Sequence, residues 1–183
     1  MGRNVWRHSA LSSVVLLMAI MALILAGCGG PKADVPVFMM AANGVPSDVG
    51  SKLEQSLKEK VGEAPSVQVI TTPIFSMEKL IVEIAAGDNG IIIIPKDNFL
   101  MMVKQGGALS LDDVLKSDQY PEGVQEYTPE NGQPEKHLYG ISVENVKWFT
   151  DLKLNGKDLY AFVPANAKQK EKSFQVMKVI AQK

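Results

Sequence analysis

The sequence predicts an α/β fold, a three-layer sandwich on a mostly parallel sheet, and three observations predict it. Strand-length apolar runs at 35–42, 66–72 and 91–94 alternate with helix-length amphipathic segments. The run at 91–94 is four isoleucines with no polar alternation, the pattern of a strand buried on both faces. Helix-length crossovers between apolar strands point to parallel pairing with right-handed connections.

Residues 35–42 (VPVFMMAA) have strand length, with Pro36 tolerable near the start, and Asn43-Gly44 signals a turn. Ser47 is placed to cap a helix whose Val49, Leu53, Leu57 and Val61 recur every four positions, and Gly62 to stop it. Residues 66–72 (SVQVITT) are β-branched and end at Pro73. Ser76 is expected to cap a second helix with Met77, Leu80, Ile81, Ile84 and Ala85 facing inward and Gly87 as terminator. Residues 97–104 predict a short helix with Phe99, Leu100 and Val103 inward, closed by Gly106-Gly107.

Further on, residues 110–115 read as a short helix, Ser110 and Asp113 having capping-box spacing, and 117–136 as an exposed excursion. Residues 138–143 and 160–163 read as strands. Between them Asn155-Gly156 either closes a hairpin or follows a short helix from Asn145. Asn166 is expected to cap a last helix over 168–182, with Phe174, Met177 and Ile180 toward the core and its lysines forming a solvated face.

The N-terminus has a different composition. Arg3 and Arg7, with no acid beside them, precede an apolar run over 10–26 broken only by Ser12 and Ser13, the n-region and h-region of an export signal. A transmembrane span needs about 17–25 apolar residues, so length alone leaves that alternative open. The run ends Leu25-Ala26-Gly27-Cys28, which resembles the lipobox of bacterial prolipoproteins. The resemblance implies a 27-residue signal peptide and a diacylglyceryl group on Cys28. It also implies a tether over 28–34 and a domain over 35–183 on the extracytoplasmic face of a membrane. Two acyl chains hold a protein to a bilayer stably where one does not.

Composition narrows what that domain does. Without the leader, 17 basic residues stand against 20 acidic ones, a balance that argues against nucleic acid, which demands a concentrated basic surplus. One cysteine excludes an intramolecular disulfide and a thiolate zinc site, and His137, read as a surface residue, is the only histidine outside the leader. No Gly-x-Ser-x-Gly elbow, P-loop or Cys-x-x-Cys pair is present. The acid pairs Asp112-Asp113 and Glu122 with Glu126 read as solvated groups or helix-dipole partners. A non-catalytic domain without cofactor or metal is the expectation.

Short segments resemble the extracellular solute-binding proteins of ABC importers, especially the sugar-binding group: Ala85-Ala86-Gly87-Asp88, Gly106 through Asp113 (GGALSLDD), Leu138-Tyr139-Gly140-Ile141, and Val163-Pro164-Ala165-Asn166. The resemblance implies one lobe of a periplasmic-binding-protein-like fold, since 156 mature residues suffice for one lobe of a two-lobe receptor. It also implies a small solute, a sugar or another, held at the carboxyl ends of the parallel strands, and a transporter permease as partner. Asn43, Phe75, Tyr139 and Trp148 are the candidate contacts, the aromatics being suited to stacking on sugar rings and equally to core packing. The alternative is an envelope interaction module, a transporter accessory that binds a protein partner and no solute.

Overall fold

The four isoleucines of the third strand form the centre of the sheet, and every one is fully buried. The computed structural model describes residues 32–130 and 132–183. The chain divides into two units, Met1–Lys32 and Ala33–Lys183. Of the first only Lys32 is described, so the signal segment, the lipobox and Cys28 lie outside the described residues.

The second unit runs β1 (Val35–Met39), α1 (Ser47–Val61), β2 (Val67–Thr71), α2 (Met77–Ala86), β3 (Ile91–Pro95) and α3 (Lys96–Lys104). After these come β4 (Val124–Tyr127), β5 (Glu135–Leu138), β6 (Ile141–Ser142), α4 (Lys147–Thr150), β7 (Leu159–Phe162) and α5 (Lys170–Ile180). The main sheet has the order β2-β1-β3-β7-β6. β1 pairs in parallel with β2 and with β3, while β7 lies antiparallel to both β3 and β6. β7 is therefore the one reversed strand of the five.

Strand alternation divides the core into two layers. Val35, Val37, Met39, Ile91 and Ile93 pack with Leu53 and Leu57 of α1, Trp148 and Phe149 of α4, and Val176, Met177 and Ile180 of α5. Phe38, Met40, Ile92 and Ile94 face the other way, against Leu80 of α2 and Phe99, Met102 and Val103 of α3. Helices thus cover both faces, as the run without polar alternation requires. Burying an isoleucine contributes about 1.5–3 kcal/mol, so this run is a principal source of stability. At the sheet edge Glu54 of α1 accepts the Val69 N–H at 2.9 Å, occupying a donor that an edge strand leaves open.

Several local expectations are corrected. Ser47 is the first helical residue, Pro46 occupies the cap position, and no side chain caps α1. Residues 110–115 form turns rather than a helix, because Asp112 is drawn to β5 by the Leu138 N–H. The excursion at 117–136 contains the β4–β5 hairpin, a two-stranded sheet of its own. Asn166 does not cap α5. Its amide donates instead to the Ile84 carbonyl at 2.8 Å, closing the carboxyl end of α2. On α2, capped as expected by Ser76 and ended by left-handed Gly87, only Leu80 is buried, and Ile81 and Ala85 face solvent.

Candidate functional site

From β1 the chain crosses through α1 to β2 on one side, and β2 crosses back through α2 to β3 on the other. The connections therefore diverge at the carboxyl ends of β1 and β3, the topological switch point where open α/β sheets leave a crevice. A crevice of about 390 Å³ opens there, lined by residues 41–44, Pro95 and residues 155 and 157–159.

Its first wall is a tight turn. Met40 still donates to the Ile93 carbonyl at 2.9 Å, after which Gly44 N–H closes onto Ala41 carbonyl at 2.9 Å and Val45 N–H onto Thr72 carbonyl at 2.7 Å. Gly44 has φ of 75° and lies so close to the next loop that a Cβ would stand 1.9 Å from the Pro73 carbonyl oxygen. Only glycine fits, and Asn43 beside it is carried outward into solvent. The opposite wall is a polar turn in which Asn155 Oδ1 accepts the Lys157 N–H at 2.9 Å and Asp158 carbonyl accepts the Lys96 N–H at 2.8 Å. The side chains offered are two amides, one cation and one anion, a set with hydrogen-bonding capacity and no net charge.

The expected contacts do not converge. Asn43 lines the crevice. Phe75 follows β2 at the same edge of the sheet but is half-buried against the Phe38 layer. Tyr139 is buried, its ring edge-on to Tyr127 and His137. Trp148 is 1% exposed, stands edge-on to Phe149 and donates its indole N–H to the Leu53 carbonyl at 3.1 Å, so the core accounts for its ring. Asn155, Lys157 and Asp158 were missed as site residues. Their turn was legible as Asn-Gly, but not the edge it would reach.

A second polar cluster lies on the small sheet. His137 Nδ1 is 2.6 Å from Asp112 Oδ2 and its Nε2 is 3.2 Å from Glu135 Oε2. The carboxylates, Asp112 foremost and then Glu135, hold the His137 pKa above its ordinary value. Burial pushes the Asp112 carboxyl up, but the Leu138 N–H and His137 outweigh it and leave the group below its ordinary range. Ser117 lines the adjoining hollow of about 470 Å³. Both ring nitrogens of His137 already face carboxylates, which favours a charged ring over a base aimed at that hydroxyl. Among the described residues no group of three or more His, Cys, Asp or Glu is placed to hold a metal ion, and no helix is long and apolar enough to cross a membrane.

Comparison with known proteins adds one likeness. The chain is similar to a Bacillus subtilis (strain 168) protein named "Putative lipoprotein YteS". The two are 27% identical over 169 residues, covering 88% of this chain and 91% of the Bacillus protein. The likeness to YteS therefore extends far beyond a 27-residue leader. No protein-family model matches the chain, and no solved structure does.

Proposed function

We propose that this chain is a lipoprotein, held by a diacylglyceryl group on Cys28 to the extracytoplasmic face of a membrane, and that its domain binds a small neutral polar solute for ABC-type import. The likeness to a protein named as a lipoprotein, together with the lipobox resemblance, supports the anchor. One observation carries the binding role: the switch point opens into a crevice whose polar lining has no net charge. Its volume lies toward the small end of ligand pockets, which run to about 300–1,000 Å³, and suits a solute near the size of one sugar ring. Asn43, Asn155 and Asp158 supply the donors and acceptors that a polyhydroxylated ligand needs, while Lys157 and Asp158 cancel in charge. A single lobe presents one wall of a site, so the complex forms without hinge closure.

Thermal shift measures this directly. A ligand at 100 times its Kd adds about 2.7 kcal/mol to native stability, so a bound sugar raises Tm by several degrees. Neutral mono- and oligosaccharides should produce such a shift in the native protein, and Asn43→Ala should reduce it. Absence of any shift at millimolar sugar would overturn the solute reading. Labelled palmitate entering wild type but not Cys28→Ser tests the anchor separately.

A further inference from the structure

We propose that the outward face of α2 is a lipid-docking surface that seats the domain on the bilayer to which Cys28 anchors it. This deepens the lipid-anchor reading and rests on it. The face is defined by a departure from amphipathic expectation. Leu80 is the one fully buried residue of α2, with Met77 and Ile84 partly buried against the same layer, while Ile81 is 59% exposed, Val82 64% and, just before the helix, Ile74 70%. Ala85 and Ala86 are also exposed, so the apolar stripe continues through the last turn at the three- and four-residue spacing that keeps side chains on one helix face. Met101 of α3, 39% exposed, belongs to the same helix layer.

The position of the tether selects the occupant. The domain begins at Asp34, at the amino-terminal edge of β1, and the chain leaving α2 arrives at that same edge, where Gly90 N–H donates to the Pro36 carbonyl at 2.8 Å. Two pairs hold this corner together, Lys172 with Asp34 at 2.5 Å and Lys168 with Asp88. From Cys28 to Asp34 the chain takes six residue steps, which reach about 20 Å at full extension. The carboxyl end of α2 lies at the edge of the sheet where the tether joins the domain, so Ala85 and Ala86 are the part of the stripe nearest that junction. The anchor confines the domain to the layer of solvent next to the bilayer, and the stripe of α2 ends at the edge of the sheet where the domain begins.

Lipid also fits the size and charge of the face. A handful of apolar side chains falls short of the ~1,200 Å² total that a specific protein interface buries, so a second copy would not be held by this surface alone. Under a tether the contact is intramolecular, and weak insertion is sufficient. Glu78 stands on the stripe itself, three and four residues before Ile81 and Val82, where it accepts the Ser76 hydroxyl at 2.9 Å at the first turn, while Lys79 and Glu83 border the stripe and pair at 2.9 Å. With no local surplus of cations, docking should depend on apolar insertion rather than on anionic headgroups.

The full-length acylated protein can be reconstituted into vesicles of phosphatidylcholine, with or without phosphatidylglycerol, carrying an environment-sensitive fluorophore through Val82→Cys or, on the far side of the domain, Gln55→Cys. Cys28 is acylated and does not compete for the label. The expected result is blue-shifted emission at position 82, quenched by spin-labelled lipid in both vesicle types, with position 55 remaining in water. Adding Ile81→Glu should abolish the quenching at 82. Equal water exposure at both positions would overturn docking, as would protection at 82 seen only in native membranes, which would indicate a protein partner. Mass spectrometry of the Cys28 peptide separates the two readings, because an unmodified thiol defeats the anchor itself, whereas acylated protein with an unquenched probe defeats only the docking.

Discussion

Oδ2 of Asp112 lies 2.6 Å from Nδ1 of His137 while its other oxygen accepts the Leu138 N–H at 3.0 Å, so one carboxylate clamps the segment after Ala108 onto β5. The His137 pKa is raised, so its contribution to stability is complete below about 6.5 and is lost as pH rises through the raised value. The Asp112 pKa is lowered, so its contribution is present above about 3.8 and is lost as pH falls through the lowered value. The pair therefore stabilises the fold between those limits, by about 0.2–1 kcal/mol given its partial exposure. The sequence holds two histidines, His8 and His137, so the ring resonance of His137 can be assigned and titrated by NMR. A midpoint above 6.5 that falls in Asp112→Asn is the expected outcome; identical midpoints would remove the clamp.

Asp34, just before β1, should be the most acidic carboxyl of this corner. Lys172 and the Ser66 backbone and hydroxyl hold its pKa at about 2. Its contribution is full above the ordinary value of 3.8 and disappears as pH falls toward 2. In Asp34→Asn the difference in Tm from wild type should be present at pH 6 and vanish near pH 2, a comparison that differential scanning calorimetry makes directly.

Trp148 is one of the two tryptophans of the chain, and its burial predicts blue-shifted emission that moves red on unfolding. Trp148→Phe keeps an aromatic ring but loses the bond to Leu53 and some packing volume. A loss of about 1–3 kcal/mol is expected in urea unfolding. Sugar-induced Tm shifts should survive this change, because the ring lies in the core and not in the crevice.

Gly44→Ala and Gly62→Ala form an informative contrast. Both positions have positive φ, 75° and 85°, but a Cβ at Gly62 meets nothing within 4 Å, whereas at Gly44 it collides with the Pro73 backbone. Gly62→Ala should cost about 1–3 kcal/mol, since its φ of 85° and ψ of −155° fall in a region essentially confined to glycine, and Gly44→Ala should cost more than that because of the added collision, together with loss of any crevice ligand. Equal losses in both variants would mean that conformation alone, and not close approach, fixes Gly44.

Asn166→Ala removes the amide that closes the carboxyl end of α2. A loss of about 0.5–1.5 kcal/mol is expected, with faster hydrogen exchange confined to the last turn of that helix. Exchange spreading instead through α5 would restore Asn166 to the role its position in the sequence indicated.

The alternation of apolar strands with amphipathic helices was sufficient to specify the β-α-β-α-β core, since Leu53 and Leu57 at helical spacing and isoleucines without polar alternation allow few other ways to bury their surface. The β4–β5 hairpin was not legible, because Glu126, Glu135 and Lys136 give it a polar surface that resembles a loop. Of the four expected ligand contacts, Asn43 alone lines the crevice, since an aromatic suited to stacking on a solute is equally suited to filling a core.

By itself the sequence determined an isoleucine strand buried on both faces, the helices that cover it and a lipobox-like boundary at Cys28, because each is carried by local periodicity or by adjacent residues. Only the tertiary structure decided that Asn43 would face Asn155 and Asp158 across the switch point, that Asn166 would close α2 rather than cap α5, and that Ile81 and Val82 would face outward. Those outcomes depend on which surfaces distant segments leave uncovered. A side chain's own sequence neighbours do not record that.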